Sequence, residues 1–114
     1  MTVDERQFLM TAAWLFMRHG QRARALAVCA ALSEDDARDG VAAVALAELL
    51  LDSAEAARAL DVLRDADIPD SLAHVAAVLE TRALKMLGRT ADSAARWRRY
   101  LESRKGAARR WMGS

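Results

Sequence analysis

Gly20, Ala54 and Gly88 stand 34 residues apart along the chain, and Ala25, Ala59 and Ser93, five places further on, keep the same interval. Small residues recurring at a fixed period tie a chain to a repeat architecture. Each unit is one supersecondary element, and units must stack because none buries its apolar face alone. A period of 34 suits two antiparallel helices with their turns, and 114 residues leave room for three units and a short tail.

The composition is helical: Ala, Leu and Arg dominate, and Pro occurs once, at position 69. Thr2 and Glu5 have capping-box spacing, which predicts a first helix from about Val3 to Arg18, stopped by a left-handed residue at Gly20. A second helix is expected from about Arg22 to Leu32. Ser33-Glu34-Asp35-Asp36 then reads as a hydroxyl cap with negative charge for a third helix, which continues to about Leu51 with Gly40 as a weak point. A fourth helix follows Asp52-Ser53 and reaches about Asp65. Ile68-Pro69-Asp70 breaks the chain, and Asp70 or Ser71 caps a fifth helix running to Leu87. Gly88 closes that helix, Thr90 caps the sixth, and the sixth extends to about Lys105. The expected fold is all-α: three tetratricopeptide-like helix-turn-helix repeats (about 3–35, 36–69 and 70–105), six helices in a short α-solenoid with a concave groove, and a basic tail at 106–114.

The helices are of two kinds. In the fourth, Ala56, Ala59, Leu60 and Leu63 form one apolar stripe opposite Glu55, Arg58, Asp61 and Asp65, as in a helix with one side in water. In the first, Thr11 is the only polar residue between Phe8 and Met17. One stripe (Leu9, Ala12, Ala13, Phe16) suits a close partner helix, and a second (Met10, Trp14, Met17) points elsewhere. The third and fifth helices repeat this excess, and a helix apolar on two sides is normally buried on two sides. The first helix of each pair lines the inner face of such a stack, so the second stripes are expected to share one partner-binding groove. Its wall would be Met10, Trp14, Met17, Val41, Val44, Leu51, Val75, Val78 and Met86, with Glu48, Arg82 and Lys85 as polar markers. The rival reading is a closed six-helix bundle in which these side chains complete the core.

Nothing in the residue set points to catalysis, a cofactor or a metal. His19 and His74 are 55 residues apart, and Cys29 is a lone cysteine without an adjacent base. Glu34-Asp35-Asp36-Asp39 lacks the alternating oxygen ligands and loop glycine of a calcium site. The segment from Arg96 onward holds seven of the 17 cations and one of the 16 anions, a charge of +6 that leaves −5 for residues 1–95. Cations interleaved with Trp97, Tyr100 and Trp111 could contact nucleic acid, but Trp97, Tyr100 and Leu101 share a helical face and read better as the inward stripe of the last helix. The tail either frays or folds back with Trp111 and Met112 as an apolar cap. The charged start of the chain and the short apolar runs give the expectation of a cytoplasmic protein with no membrane span.

Phe8-Leu9 with Trp14-Leu15, then Gly20 followed by Arg24-Ala25, resembles the opening of the YscY (SctY) proteins of bacterial type III secretion. Gly88 through Trp97 and Tyr100-Leu101-Glu102 resembles their closing repeat with its paired aromatics. The middle repeat, Asp36 to Asp67, departs from them and carries Ala54 where a glycine would stand. The resemblance implies a small chaperone without enzymatic activity. It would bind a secreted YscX-like partner as a heterodimer and help it reach the export gate, SctV. Two rivals differ in partner: a type III chaperone for a translocator or needle subunit, and a general peptide-binding adaptor that clamps a terminal carboxylate with Arg18, Arg82 and Lys85.

Overall fold

A computed structural model of the chain describes residues 1–112. Six α-helices succeed one another: α1 (Val3–Arg18), α2 (Arg22–Asp35), α3 (Gly40–Asp52), α4 (Ala56–Asp65), α5 (Ala73–Met86) and α6 (Thr90–Met112), with a single 3-10 turn at Asp70–Leu72 before α5. The described residues contain no β-strand, only an isolated bridge between Asp39 and Asp67. Each helix packs on the next, and α3 also packs on α5. With α2, α4 and α5 around it, α3 is the centre of the molecule; Leu46, Leu49, Leu50 and Leu51 are all buried.

The 34-residue interval has a direct structural counterpart. Gly20, Ala54 and Gly88 all have positive φ, at 72°, 61° and 76°. At each, the residue's own N–H donates to the carbonyl three back, and the next N–H donates to the carbonyl five back: Gln21 to Phe16, Glu55 to Leu50 and Arg89 to Leu84, each at 2.8 Å. These are three copies of the Schellman closure, which satisfies carbonyls left open at a helix end. The following helix begins at the same offset each time. Its first internal N–H therefore belongs to Ala25, Ala59 or Ser93, donating to Gln21, Glu55 or Arg89. Those three small residues are fully buried, and the Ser93 hydroxyl donates to the Thr81 carbonyl at 3.0 Å.

The connections between helix pairs differ from the sequence expectation. The α2 helix runs past Leu32 to Asp35, and the cap of α3 is Asp39, whose carboxylate accepts from the Ala42 N–H. Neither Ser33 nor Asp36 caps it. Gly40 is the first residue of α3 rather than an interruption in it. A Cβ there would collide with the Asp67 carbonyl and come within 2.8 Å of Pro69 Cδ, so glycine is what lets the two connections lie side by side. The Asp67 N–H donates to the Arg38 carbonyl at 2.9 Å. Between Pro69 and α5, Asp70 and Ser71 form the 3-10 turn instead of a side-chain cap. The last helix does not stop near Lys105: it passes through Gly106 to Met112, and Trp111 and Met112 are exposed rather than folded back.

Arg6 links α1 to this junction. Its guanidinium donates to Asp35 and to Asp39, both at 2.6 Å, and to the Leu32 carbonyl at 3.2 Å. One side chain thus caps the end of α2 and holds the cap of α3. Burial opposes the Asp39 charge, but hydrogen bonds from Arg6 and the Ala42 N–H, with the Arg6 charge, outweigh it and hold that carboxyl below its ordinary range.

Relieving the strain at one turn should stabilise the chain. Ala54→Gly removes a left-handed cost of roughly 1–2 kcal/mol and adds an unfolded-state entropy loss of about half that, for a net gain of about 0.5–1 kcal/mol. Gly88→Ala should lose a similar amount, purely from the backbone, because a Cβ there meets nothing within 4 Å. Thermal melts of both variants read the difference, and shifts of the same sign would rule out left-handed geometry at Ala54.

Arg6→Met should cost about 2 kcal/mol, the usual worth of hydrogen bonds to a charged group. It should also flatten the acid limb of the stability curve. Asp39 is depressed below its ordinary pKa of 3.8, so it stabilises the fold above that pH and loses the contribution as pH falls through the lower folded value. Urea unfolding from about pH 5 to about pH 2 tests this, and parallel curves for parent and variant would show that Arg6 does not set the Asp39 charge.

Candidate functional site

The two faces of α1 meet different surroundings. Ala13 is fully buried and Phe16 half-buried, on the side that packs on α2, and Arg24 from α2 lies over the Phe16 ring. Around the helix from them, Met10 and Met17 rest half-buried against the core while Trp14 between them is 52% exposed. Across from this stripe, α3 presents Val41, Val44, Ala45 and Glu48. Between the two helices lies a hollow of about 550 Å³. Its inner surface includes Val44, which is buried, and Ala45; its outer edges are Trp14 and Val41, which are exposed. Leu72, from the 3-10 turn before α5, completes the lining.

The polar members of the lining are Arg18 and Glu48. The Arg18 guanidinium lies 4.8 Å from the centre of the Trp14 ring, within cation–π range. It steadies one face of the indole while the rest of the ring stays open. The site offers apolar contact area and few polar anchors, which suits the side chains of a partner segment rather than a charged small molecule.

Of the twelve expected groove residues, Met10, Trp14, Met17, Val41, Val44 and Glu48 line this hollow. Leu51 does not: it is 3% exposed and belongs to the core, because α3 is enclosed by three other helices and has little open surface. Val75, Val78, Arg82 and Lys85 lie on α5 outside the hollow. Val78 is half-buried and the other three are exposed. Met86 lines a separate depression with Ala54, Ala57 and Leu87, beside the turn between α3 and α4. The second stripes of α1 and α3 therefore come together, and that of α5 stands apart. Ala45 and Leu72 were not expected. Ala45 follows Val44 on α3 and only its neighbours' packing opens it, while Leu72 lies in a connection where helical spacing gives no direction.

His74 sits beside Trp97 and Tyr100, with ring centroids 6.0 and 5.7 Å away. Leu101, expected on that inward face, is exposed. Cys29 is fully buried in α2, and burial pushes its thiol up to about 11. Asp35 and Asp39 of the acidic run are taken up by Arg6.

Comparison of the chain with known protein families, characterised proteins and solved structures returns no match.

Cys29 provides a probe of opening between α1 and α2. A thiol at about 11 rather than its ordinary 9 forms thiolate roughly 100-fold less readily, and shielding slows attack further. Labelling at about pH 8 should therefore follow the global unfolding transition. Fast labelling of the folded chain would mean that α2 separates from its neighbours well below that transition.

Proposed function

We propose that this chain is a three-repeat, tetratricopeptide-like chaperone that holds an apolar segment of a partner protein in the hollow between α1 and α3. It acts by binding rather than by catalysis. The observation that carries the reading is Trp14, half exposed between Met10 and Met17 at the edge of a hollow of about 550 Å³ with apolar walls. An open apolar surface built around a tryptophan marks an interaction site, and a helix laid in such a hollow would cover it. Methionine thioethers on one wall adapt to a partner's side chains. The three identical turns at 34-residue spacing support the repeat assignment.

The resemblance of the first and last repeats to YscY proteins narrows the partner to a secreted, YscX-like protein of a type III secretion system. The chain would keep that protein soluble as a heterodimer in the bacterial cytoplasm and help present it to the SctV export gate. A chaperone for a translocator or needle subunit would use the same hollow with another cargo. The carboxylate-clamp adaptor is less well supported, because of Arg18, Arg82 and Lys85 only Arg18 lines the hollow.

Co-expression with neighbouring genes and co-purification identifies the partner, and the Trp14→Ala variant then tests the site. A partner seated in the hollow would cover the open face of Trp14, and truncating a tryptophan buried in such a contact costs about 2 kcal/mol or more, so partner affinity should fall at least ~30-fold. Helical content and melting temperature of the free chain should change little. Trp97→Ala, which removes a ring packed between His74 and Tyr100, should instead lower the melting temperature. If Trp14→Ala unfolds the chain while its folded fraction still binds normally, the hollow is part of the core and the proposal fails.

A further inference from the structure

The apolar face of α6 does not end where its support ends. Trp97 and Tyr100 lie against His74 near the start of α5. Since α5 begins at Ala73 while α6 continues to Met112, the last turns of α6 run beyond it. From Leu101 to Met112 every residue is exposed except Gly106. Helical spacing places Leu101, Ala108, Trp111 and Met112 on the same face as Trp97, so the stripe packed on α5 continues uncovered for about three turns. Trp111 and Met112, at its end, are 86% and 81% exposed.

Cations flank this stripe. Arg98, Lys105 and Arg109, at spacings of seven and four, run beside it. Arg104, seven residues after Trp97, falls on the stripe itself, and its guanidinium lies 6.0 Å from the Tyr100 ring. Among the described residues after Trp97, Lys105 is the cation with an ion-pair partner, Glu102 at 3.6 Å. The segment from Arg96 onward carries +6 while residues 1–95 carry −5.

We propose that the C-terminal half of α6 docks flat on an anionic lipid surface, whether or not the hollow between α1 and α3 takes a partner. A helix with Trp and aliphatic side chains on one face and clustered arginines around it lies in the interface between headgroups and acyl chains. Its cations attract anionic lipid, and Trp111 suits the headgroup level. No described helix is long and apolar enough to cross a membrane, so the contact is peripheral. The opposite charge of the body turns it away from the same surface and leaves α6 as the part that approaches. A nucleic acid would satisfy the cations but leave Leu101 and Met112 uncovered, which is why lipid is favoured.

The test uses the full chain with two kinds of vesicle, one of phosphatidylcholine alone and one of equal parts phosphatidylcholine and phosphatidylglycerol. The chain should co-sediment with the anionic vesicles and not the neutral ones, and added salt should release it. Arg109→Glu with Arg110→Glu should weaken binding at least ~10-fold, and Trp111→Ala should weaken it by several-fold, with helical content by circular dichroism unchanged. Binding to neither vesicle or equally to both overturns the proposal, as does a charge-reversed variant that binds like the parent. Preference for a single-stranded oligonucleotide over both vesicles also overturns it, as does a dimer that Trp111→Ala disrupts in a chain that ignores lipid.

Discussion

The arrangement of α1 against α3 depends on the junction between the first and second helix pairs, where Arg6 sits among Asp35, Asp39 and the Leu32 carbonyl. The two carboxylates lie near the negative end of α2, where their charge is unfavourable without a cation. Arg6 supplies that cation from a third helix and fixes the entry of α3 at the same time. Its planar, multi-donor head suits this better than a lysine, because three acceptors in different directions must be met at once. A second contact lies beside it: Gly40 pressed on the Asp67 carbonyl, which brings the connection before α5 against the start of α3. Together they hold α1, α3 and Leu72, the three contributors to the hollow, in one frame.

The turns within each helix pair need no such clamp. Gly20, Ala54 and Gly88 close their helices with the same hydrogen bonds, so each pair is hairpin-like from local geometry alone. Alanine at the middle position shows how far packing can override local preference. The α3–α4 pair encloses most of the core leucines, and their burial holds Ala54 at a φ of 61° that alanine ordinarily avoids. At the third position of the inner small-residue set, Ser93 replaces alanine without leaving an unsatisfied hydroxyl, because Thr81 offers its carbonyl.

Two of the exposed apolar patches differ in character. The hollow between α1 and α3 is concave, with Arg18 and Glu48 as opposite charges in its lining, which suits the alternating contacts of a protein segment. The overhanging half of α6 is convex and of one charge sign, which suits an extended anionic surface. They are built by different helices, α1 and α3 for the first and α6 for the second.

Much of this was legible in the residues. The 34-residue interval located three turns and three buried small residues, the capping box placed the start of α1, and the stripe Ala56, Ala59, Leu60 and Leu63 is the buried face of α4. These are local properties, set by φ, by hydrogen bonds within a turn or by a single helical period. The connections between pairs were misread because their course is fixed by residues far away: Arg6 holds the Asp35–Asp39 run, and Asp67 explains Gly40. The hollow was half legible for the same reason. Periodicity marks which side chains are surplus to one contact face, and so found Met10, Trp14, Met17, Val41, Val44 and Glu48. Whether a surplus side chain stays open depends on how many helices gather round it, and that buried Leu51 within α3 while leaving Met86 by another turn. The sequence by itself determined the helices, their turns and the small contacts between paired helices, because those are decided within a few residues. Only the tertiary structure decided which apolar stripes remain uncovered, because burial is a property of neighbours that the local pattern does not contain.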